Sequence, residues 1–223
     1  MIATLIGATG LVGNYLLEEL LKDDFYHTVR ILIRRPFLQQ AQDFTHPKLE
    51  KKLVNFSDAE SFRLALEGSD VLFCAIGTTQ KKVKGDKAAY RKVDYAIPVQ
   101  AALFCKMAGC ENFVLVSSVG ANSKSNNFYL KLKGEVEDAI KEVGIKSVHS
   151  MRPSVLLGDR KESRSGEKIA KGIMKAFSFL IPLKYKPVHG RDVAKAMLAA
   201  AKKKEEGYFI LEYSGIKQSI IKN

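Results

Sequence analysis

Tyr129 and Lys133 stand four residues apart, and Tyr129 lies eleven residues beyond the serine pair Ser117-Ser118. On a helix, positions i and i+4 share a face, so this phenol and ammonium are neighbours. An ammonium there stabilises tyrosinate and lowers the phenol pKa from about 10 towards the working range. A tyrosine so tuned can give a proton to a carbonyl oxygen or take one from an alcohol. A serine hydroxyl at the end of the preceding strand would hold the same oxygen. Consecutive strand residues face opposite sides, so only one of the two serines can serve, and we assign Ser118.

Such chemistry needs a hydride carrier, and the first thirteen residues supply a place for one. The apolar run Ile2 to Ile6 ends in Gly7-Ala8-Thr9-Gly10-Leu11-Val12-Gly13, after which Leu16, Leu17, Leu20 and Leu21 follow a helical period. Strand, glycine turn and helix together present backbone N–H groups and a positive dipole end to a diphosphate. The spacing is GxxGxxG. A Cβ at Gly7 or Gly10 would block the turn or the ligand, and Gly13 lets helix and strand approach closely. The second apolar run, 28–33, ends in Arg34-Arg35. A carboxylate there would hold a ribose hydroxyl of NAD; two guanidinium forks suit the 2′-phosphate of NADP. The expected cofactor is therefore NADP.

The elements that must position these residues alternate along the chain. Strands are expected at 2–6, 28–33, 52–56, 70–76, 112–118, 146–151 and 208–211. Helices are expected after the glycine turn and over 57–66, 87–107, 127–143, 167–179 and 192–203, with Pro98 as a kink. Alternation of this kind predicts an α/β Rossmann-type doubly wound parallel sheet, ordered 3-2-1-4-5-6-7. We expect one domain over 1–223, with about 152–190 forming part of a small C-terminal substrate cap.

Composition narrows the alternatives. The 36 Lys and Arg against 24 Asp and Glu give a net charge of +12, which favours anionic partners. The basic residues are dispersed, so nucleic-acid binding rests on charge alone and is not expected. Lys81, Lys82 and Lys84 follow the fourth strand; they either meet an anionic substrate or form a solvated loop. Cys74, Cys105 and Cys110 lack a framework spacing and read as free thiols of a reducing cytosol. No basic leader precedes the first apolar run, and no run approaches a membrane span. A cytoplasmic protein is therefore expected. His27, His46, His149 and His189 show no metal-ligand spacing. His149 reads as a core or half-buried histidine, and His189 as a helix entry capped by Asp192.

With these residues in hand, the chain resembles the short-chain dehydrogenase/reductase superfamily in its atypical branch, of the Tat-interacting-protein type. The likeness rests on GATGLVG (7–13), Arg34-Arg35, CAIGTT (74–79), SSVGA (117–121), YLKLKGEVE (129–137) and RPSVLLGDRKESRSGE (152–167). It covers most of the chain. Leu132 stands where many members carry serine before the lysine. The resemblance implies NADP contacts at Thr9, Gly10, Leu11, Val12, Arg34, Arg35, Ile76, Gly77, Tyr129, Lys133, Leu156 and Arg164, with Tyr129 as the proton donor or acceptor.

Two readings of different class follow. The first is an NADP(H)-dependent oxidoreductase acting on a carbonyl/alcohol pair of a small molecule. The second is an NADPH-binding regulator with little turnover that engages a protein partner or a second copy. The Ser118, Tyr129, Lys133 set favours the enzyme.

Overall fold

The computed structural model describes residues 1–35, 45–158, 182–203 and 205–221. Its main sheet is seven-stranded. The strands are β1 (Ile2–Ile6), β2 (Thr28–Ile33), β3 (Leu49–Leu53), β4 (Val71–Cys74), β5 (Asn112–Val116), β6 (Ser147–Met151) and β9 (Gly207–Leu211). Their order is β3-β2-β1-β4-β5-β6-β9, with every neighbouring pair parallel. This is the expected Rossmann topology, with the seventh strand joining beside the sixth. The strand order reverses at β1, so a crevice opens beyond the carboxyl ends of β1 and β4.

The sheet is covered on both faces, which is why its central strands are unbroken apolar runs. Alternation sends Ala3, Leu5, Phe73 and Val114 to one face. There they pack under α1 (Leu11–Lys22), α6 (Gly190–Lys202) and α7 (Tyr213–Ile221). Ile6, Leu72, Cys74, Phe113 and Leu115 go to the other. That face lies under α2 (Ala59–Ala65), α4 (Ile97–Met107) and α5 (Phe128–Val143). Leu16, Leu17, Leu20 and Leu21 of α1 are all buried. Each such side chain contributes roughly 1.5–3 kcal/mol of transfer free energy, which holds the helix that carries the glycine turn.

Several expectations shift. The third strand is Leu49–Leu53, three residues earlier than 52–56. It is an edge strand paired only with β2, and its LEKKL sequence shows the charges by which edges avoid further pairing. Val54 merely continues the ladder, donating its N–H to the Ile33 carbonyl at 2.9 Å. The 87–107 segment is a short α3 (Lys87–Arg91), a π-helical turn (Lys92–Ala96) and then α4. Pro98 sits in the first turn of α4, where its missing N–H costs little. Cys105 and Cys110 form a disulfide and are not free thiols. Gly109, at φ +74°, turns the chain back from α4 towards β5 and brings the two together. Only Cys74 is a free, buried thiol.

The region expected to cap the sheet divides. Leu156–Leu157 (β7) pairs in parallel with Val188–His189 (β8) as a two-stranded sheet. The helix expected over 167–179 lies outside the described residues. His189 itself caps α6, its Nδ1 accepting the Arg191 N–H at 3.2 Å; Asp192 pairs instead with Lys217 at 2.6 Å.

Candidate active site

The glycine turn is built by backbone contact. Gly7 has φ +93°, and a Cβ there would lie 2.6 Å from the Ala75 carbonyl carbon and oxygen. The turn and the end of β4 are thus in contact. A Cβ on Gly13 would lie 2.0 Å from the Gly7 oxygen. Gly13 therefore presses α1 onto the turn itself, a closer constraint than helix on strand. Gly10 differs: its Cβ would lie 3.3 Å from the Gly7 oxygen, and its N–H donates to that oxygen at 2.9 Å. No side chain caps α1 and its first turn holds no acidic residue. The amides of Leu11, Val12 and Gly13 are the donors such a helix start presents to an anion.

Arg34 and Arg35 leave β2 at the same end of the sheet, since Ile6 pairs with Leu32 in parallel register. Both are exposed, and among the described residues no carboxylate pairs with either. The cradle fits a dinucleotide: a turn that admits no Cβ at two positions, an uncapped helix start, and two free guanidinium groups beyond the neighbouring strand.

On the other side of β1 lie Tyr129 and Lys133. Asn127 caps α5, its Oδ1 accepting the N–H groups of Tyr129 at 3.0 Å and Leu130 at 3.1 Å. This starts the helix one residue before Tyr129 and presents the phenol, 36 % exposed, in its first turn. One turn on, the Lys133 Nζ lies 5.9 Å from the centre of the Tyr129 ring. Lys133 is buried and pairs with Asp94, Nζ to Oδ1, at 3.2 Å. The other Asp94 oxygen accepts the Thr78 N–H at 2.7 Å. Asp94 is 1 % exposed.

Burial works against the Lys133 charge, while Tyr129 and Asp94 work for it. The sum holds the ammonium above its ordinary range. Burial also pushes the Cys74 thiol up to about 12, so it stays protonated.

Asp94 was not among the expected site residues. Its signal is faint in sequence, because a lone acid in a helical pattern reads as surface charge. The π-helical turn 92–96 rotates it inward, a device common where a helix serves a site. It ties the Gly77-Thr78 segment after β4 to Lys133. Gly134 was missed as well. A Cβ there would lie 2.1 Å from Ser123 N and 2.3 Å from the Asn122 carbonyl carbon. Glycine at 134 lets α5 press on the loop after β5, where the Asn122 N–H donates to the Leu130 carbonyl at 3.1 Å.

Ser118 lies on that loop, half-buried, with its Oγ 3.4 Å from the Val119 carbonyl. Ser117 is buried, its Oγ without a partner among the described residues. Ser118 is thus the more accessible of the pair. Ile76 and Gly77 follow β4 beside the turn, and a Cβ on Gly77 would lie 3.5 Å from Asp94 Oδ1. Leu156 stands in β7; the nearby Gly158 and Gly190 abut Leu11 and Tyr15 at the start of α1. Thr9 is exposed on the turn. Arg164 lies outside the described residues. Among those residues no group of His, Cys, Asp and Glu gathers as a metal site, and no helix is long and apolar enough to cross a membrane.

Known proteins share the sequence family and the fold of this chain. A family model described as NAD(P)H-binding matches residues 7–204. The chain is 35 % identical to protein HTATIP2 of Rattus norvegicus over 167 residues, covering 75 % of this chain and 67 % of that protein. It is also 35 % identical to the mitochondrial protein FMP52 of Debaryomyces hansenii over 206 residues, covering 90 % and 88 %. Among solved structures, MoeE5 in complex with UDP-glucuronic acid and NAD superposes with a TM-score of 0.72 at 16 % identity, covering 96 % of this chain and 76 % of that one. UDP-N-acetylglucosamine 4-epimerase from Bacillus cereus gives 0.67 at 17 %, covering 95 % and 78 %. These structures share the fold. The expectation of a cytoplasmic protein is overturned by the FMP52 relatives, which are mitochondrial.

Proposed function

We infer, for a chain that belongs to the NAD(P)H-binding family of atypical short-chain dehydrogenase/reductase type, an NADP(H)-dependent oxidoreductase acting on a carbonyl/alcohol pair. The observation that carries this reading is the buried Asp94–Lys133 pair at 3.2 Å beneath the accessible Tyr129 phenol, on the far side of β1 from Arg34-Arg35.

When bound, NADP(H) supplies the hydride, which protein side chains cannot. The turn 7–13 and the α1 amides hold the diphosphate, and Arg34 and Arg35 hold the 2′-phosphate. Ile76, Gly77, Leu156 and Arg164 would be further contacts to the cofactor. Tyr129 Oη delivers a proton to the carbonyl oxygen, or receives one from the alcohol. The Lys133 ammonium favours the phenolate that results, and its charge is maintained by Asp94. Ser118 Oγ donates a hydrogen bond to the same oxygen.

The test is in two steps. NADPH should bind at least tenfold more tightly than NADH, and Arg34→Ala/Arg35→Ala should abolish that preference; equal affinities in the parent chain would remove the NADP assignment. NADPH oxidation over a panel of aldehydes and ketones should fall by on the order of a hundredfold or more in Tyr129→Phe, with NADPH affinity retained. Tight NADPH binding with no turnover of any carbonyl would transfer the reading to a cofactor-sensing regulator.

A further inference from the structure

The loops that leave the carboxyl ends of β4 and β5, and the stretch 182–189, are rich in lysine and poor in acid. Residues 77–87 hold Lys81, Lys82, Lys84 and Lys87; residues 117–127 hold Lys124; residues 182–189 hold Lys184 and Lys186. The same stretches contain a single acid, Asp86. That carboxylate is engaged as the cap of α3, accepting the N–H groups of Ala88 at 2.8 Å and Ala89 at 3.1 Å. Behind them, Asp94 is taken by Lys133 and Glu135 by Arg91 at 2.6 Å. Lys81, Lys84 and Lys124 are exposed, and among the described residues no carboxylate pairs with them.

The 79–86 loop is also shaped. The Lys82 N–H donates to the Thr79 carbonyl at 2.9 Å, Gly85 to Gln80 at 3.0 Å, and Asp86 to Val83 at 2.9 Å. Lys84 has φ +50°, followed by Gly85 at φ +80°. A left-handed lysine is strained, and such strain persists where surrounding bonds dictate it, commonly at ligand clamps. The loop runs into α3, which docks on the start of α5. Tyr90 meets Phe128 edge to face, with ring centres 5.7 Å apart, and the Lys87 Nζ lies 5.4 Å from the Phe128 ring. Phe128 is the residue before Tyr129. One aromatic joint therefore holds both the lysine loop and the phenol.

NADP does not account for these cations. Its 2′-phosphate is assigned to Arg34-Arg35 beyond β2, on the other side of β1 from β4 and β5, and its diphosphate to the glycine turn. Resting on the oxidoreductase reading above, we propose that the substrate is anionic. It is a carbonyl or alcohol compound bearing a carboxylate or phosphate, whose charge is held by Lys81 and Lys84 with Lys124 at the rim. Ammonium groups without internal partners raise the local concentration of such a molecule and orient its reacting carbon towards Tyr129.

The probes are glycerol 3-phosphate and 4-hydroxybutyrate, each with its neutral counterpart, glycerol and 1,4-butanediol, titrated calorimetrically into the NADP-saturated chain. At least one anionic probe should bind tenfold or more tightly than its counterpart, and which one does separates phosphate from carboxylate. Lys81→Ala/Lys84→Ala should weaken that probe about tenfold, Lys124→Ala less, and Lys203→Ala at the opposite end of the sheet should leave it unchanged. NADP affinity should stay constant in all three. Equal binding of charged and neutral probes, or equal loss in Lys203→Ala, overturns the proposal. Failure of NADP to bind would instead strike the cofactor reading, and the same titration of the unliganded chain would still decide the anion. An anion preference without turnover would strike the reaction alone.

Discussion

The two ends of the sheet treat charge in opposite ways. At the amino ends of the strands, cations meet carboxylates. Lys48 pairs with Asp24 at 3.3 Å, Lys146 with Glu206 at 3.3 Å and Glu111 at 3.6 Å, and Lys202 with Asp23. At the carboxyl ends Lys133 and Arg152 are paired with Asp94 and Glu137, but among the described residues no carboxylate pairs with Arg34, Arg35, Lys81, Lys84 or Lys124, while Asp58 and Asp86 serve as helix caps. Exposed pairs contribute little stability, so the first arrangement is mainly a way to be neutral. The second leaves like charges close together, which is unfavourable unless an anion joins them. The same asymmetry appears in the backbone, for both sub-3 Å glycine contacts of the 7–13 turn lie at the carboxyl end.

The sharpest way to break this contrast is to add one methyl group. Gly13→Ala places a carbon 2.0 Å from a backbone oxygen with no flexible side chain to give way. A loss of about 3 kcal/mol or more is expected, read by denaturant unfolding, with NADP affinity lost. Gly10→Ala meets the same oxygen at 3.3 Å, so its stability should change by about 1 kcal/mol or less while NADP binding still weakens.

Asp94→Asn probes the buried ion pair beneath Tyr129 at the carboxyl end. Removing one partner of a buried pair costs about 3 kcal/mol. Lys133 is held above its ordinary range when folded. Its contribution is therefore full below the unfolded lysine value and lost as pH rises through the folded one. In Asp94→Asn that alkaline loss should begin at lower pH, and any rate that depends on the Lys133 ammonium should decline from a lower pH as well. An unchanged profile in a folded variant would remove Asp94 from the positioning of Lys133.

Between the two ends, His149 tests the interior. Burial pushes it down to about 4, and among the described residues neither ring nitrogen has a hydrogen-bond partner. The lowered value means that stability is present above the unfolded histidine pKa, about 6.5, and is lost as pH falls towards 4. The parent chain should lose about 2 kcal/mol over that window, and His149→Gln should flatten the slope whatever its absolute stability. The smallest effect belongs to the paired end. Lys146→Ala should leave the unfolding midpoint all but unchanged and NADP binding untouched.

Much of the carboxyl end was legible in sequence because it is built from local signals. The glycine turn and the apolar β1 and β4 announce the sheet, and Arg34-Arg35 follow directly on β2. Tyr129 and Lys133 share one helix turn. What escaped depends on distance along the chain. Asp94 acquires its meaning from a lysine thirty-nine residues away, and Gly134 from the backbone of Asn122 and Ser123. The third strand was misplaced because an edge strand needs only one apolar face and one partner. LEKKL offers less of a pattern than the VNF that follows it. The Cys105–Cys110 bond depends on Gly109 reversing the chain, which spacing alone does not reveal.

The close seat of Gly134 on Asn122 and Ser123 has a consequence for selectivity. Because α5 and the loop after β5 are in backbone contact, Ser118 and Tyr129 belong to one rigid body. A substrate cannot widen or narrow the gap between hydroxyl and phenol without separating helix from loop. On the proposed oxidoreductase reading, selectivity must then be sought in the parts that can vary without disturbing that gap. New selectivity should be obtainable by exchanging residues 79–86, with Ser118 and Tyr129 carried over intact.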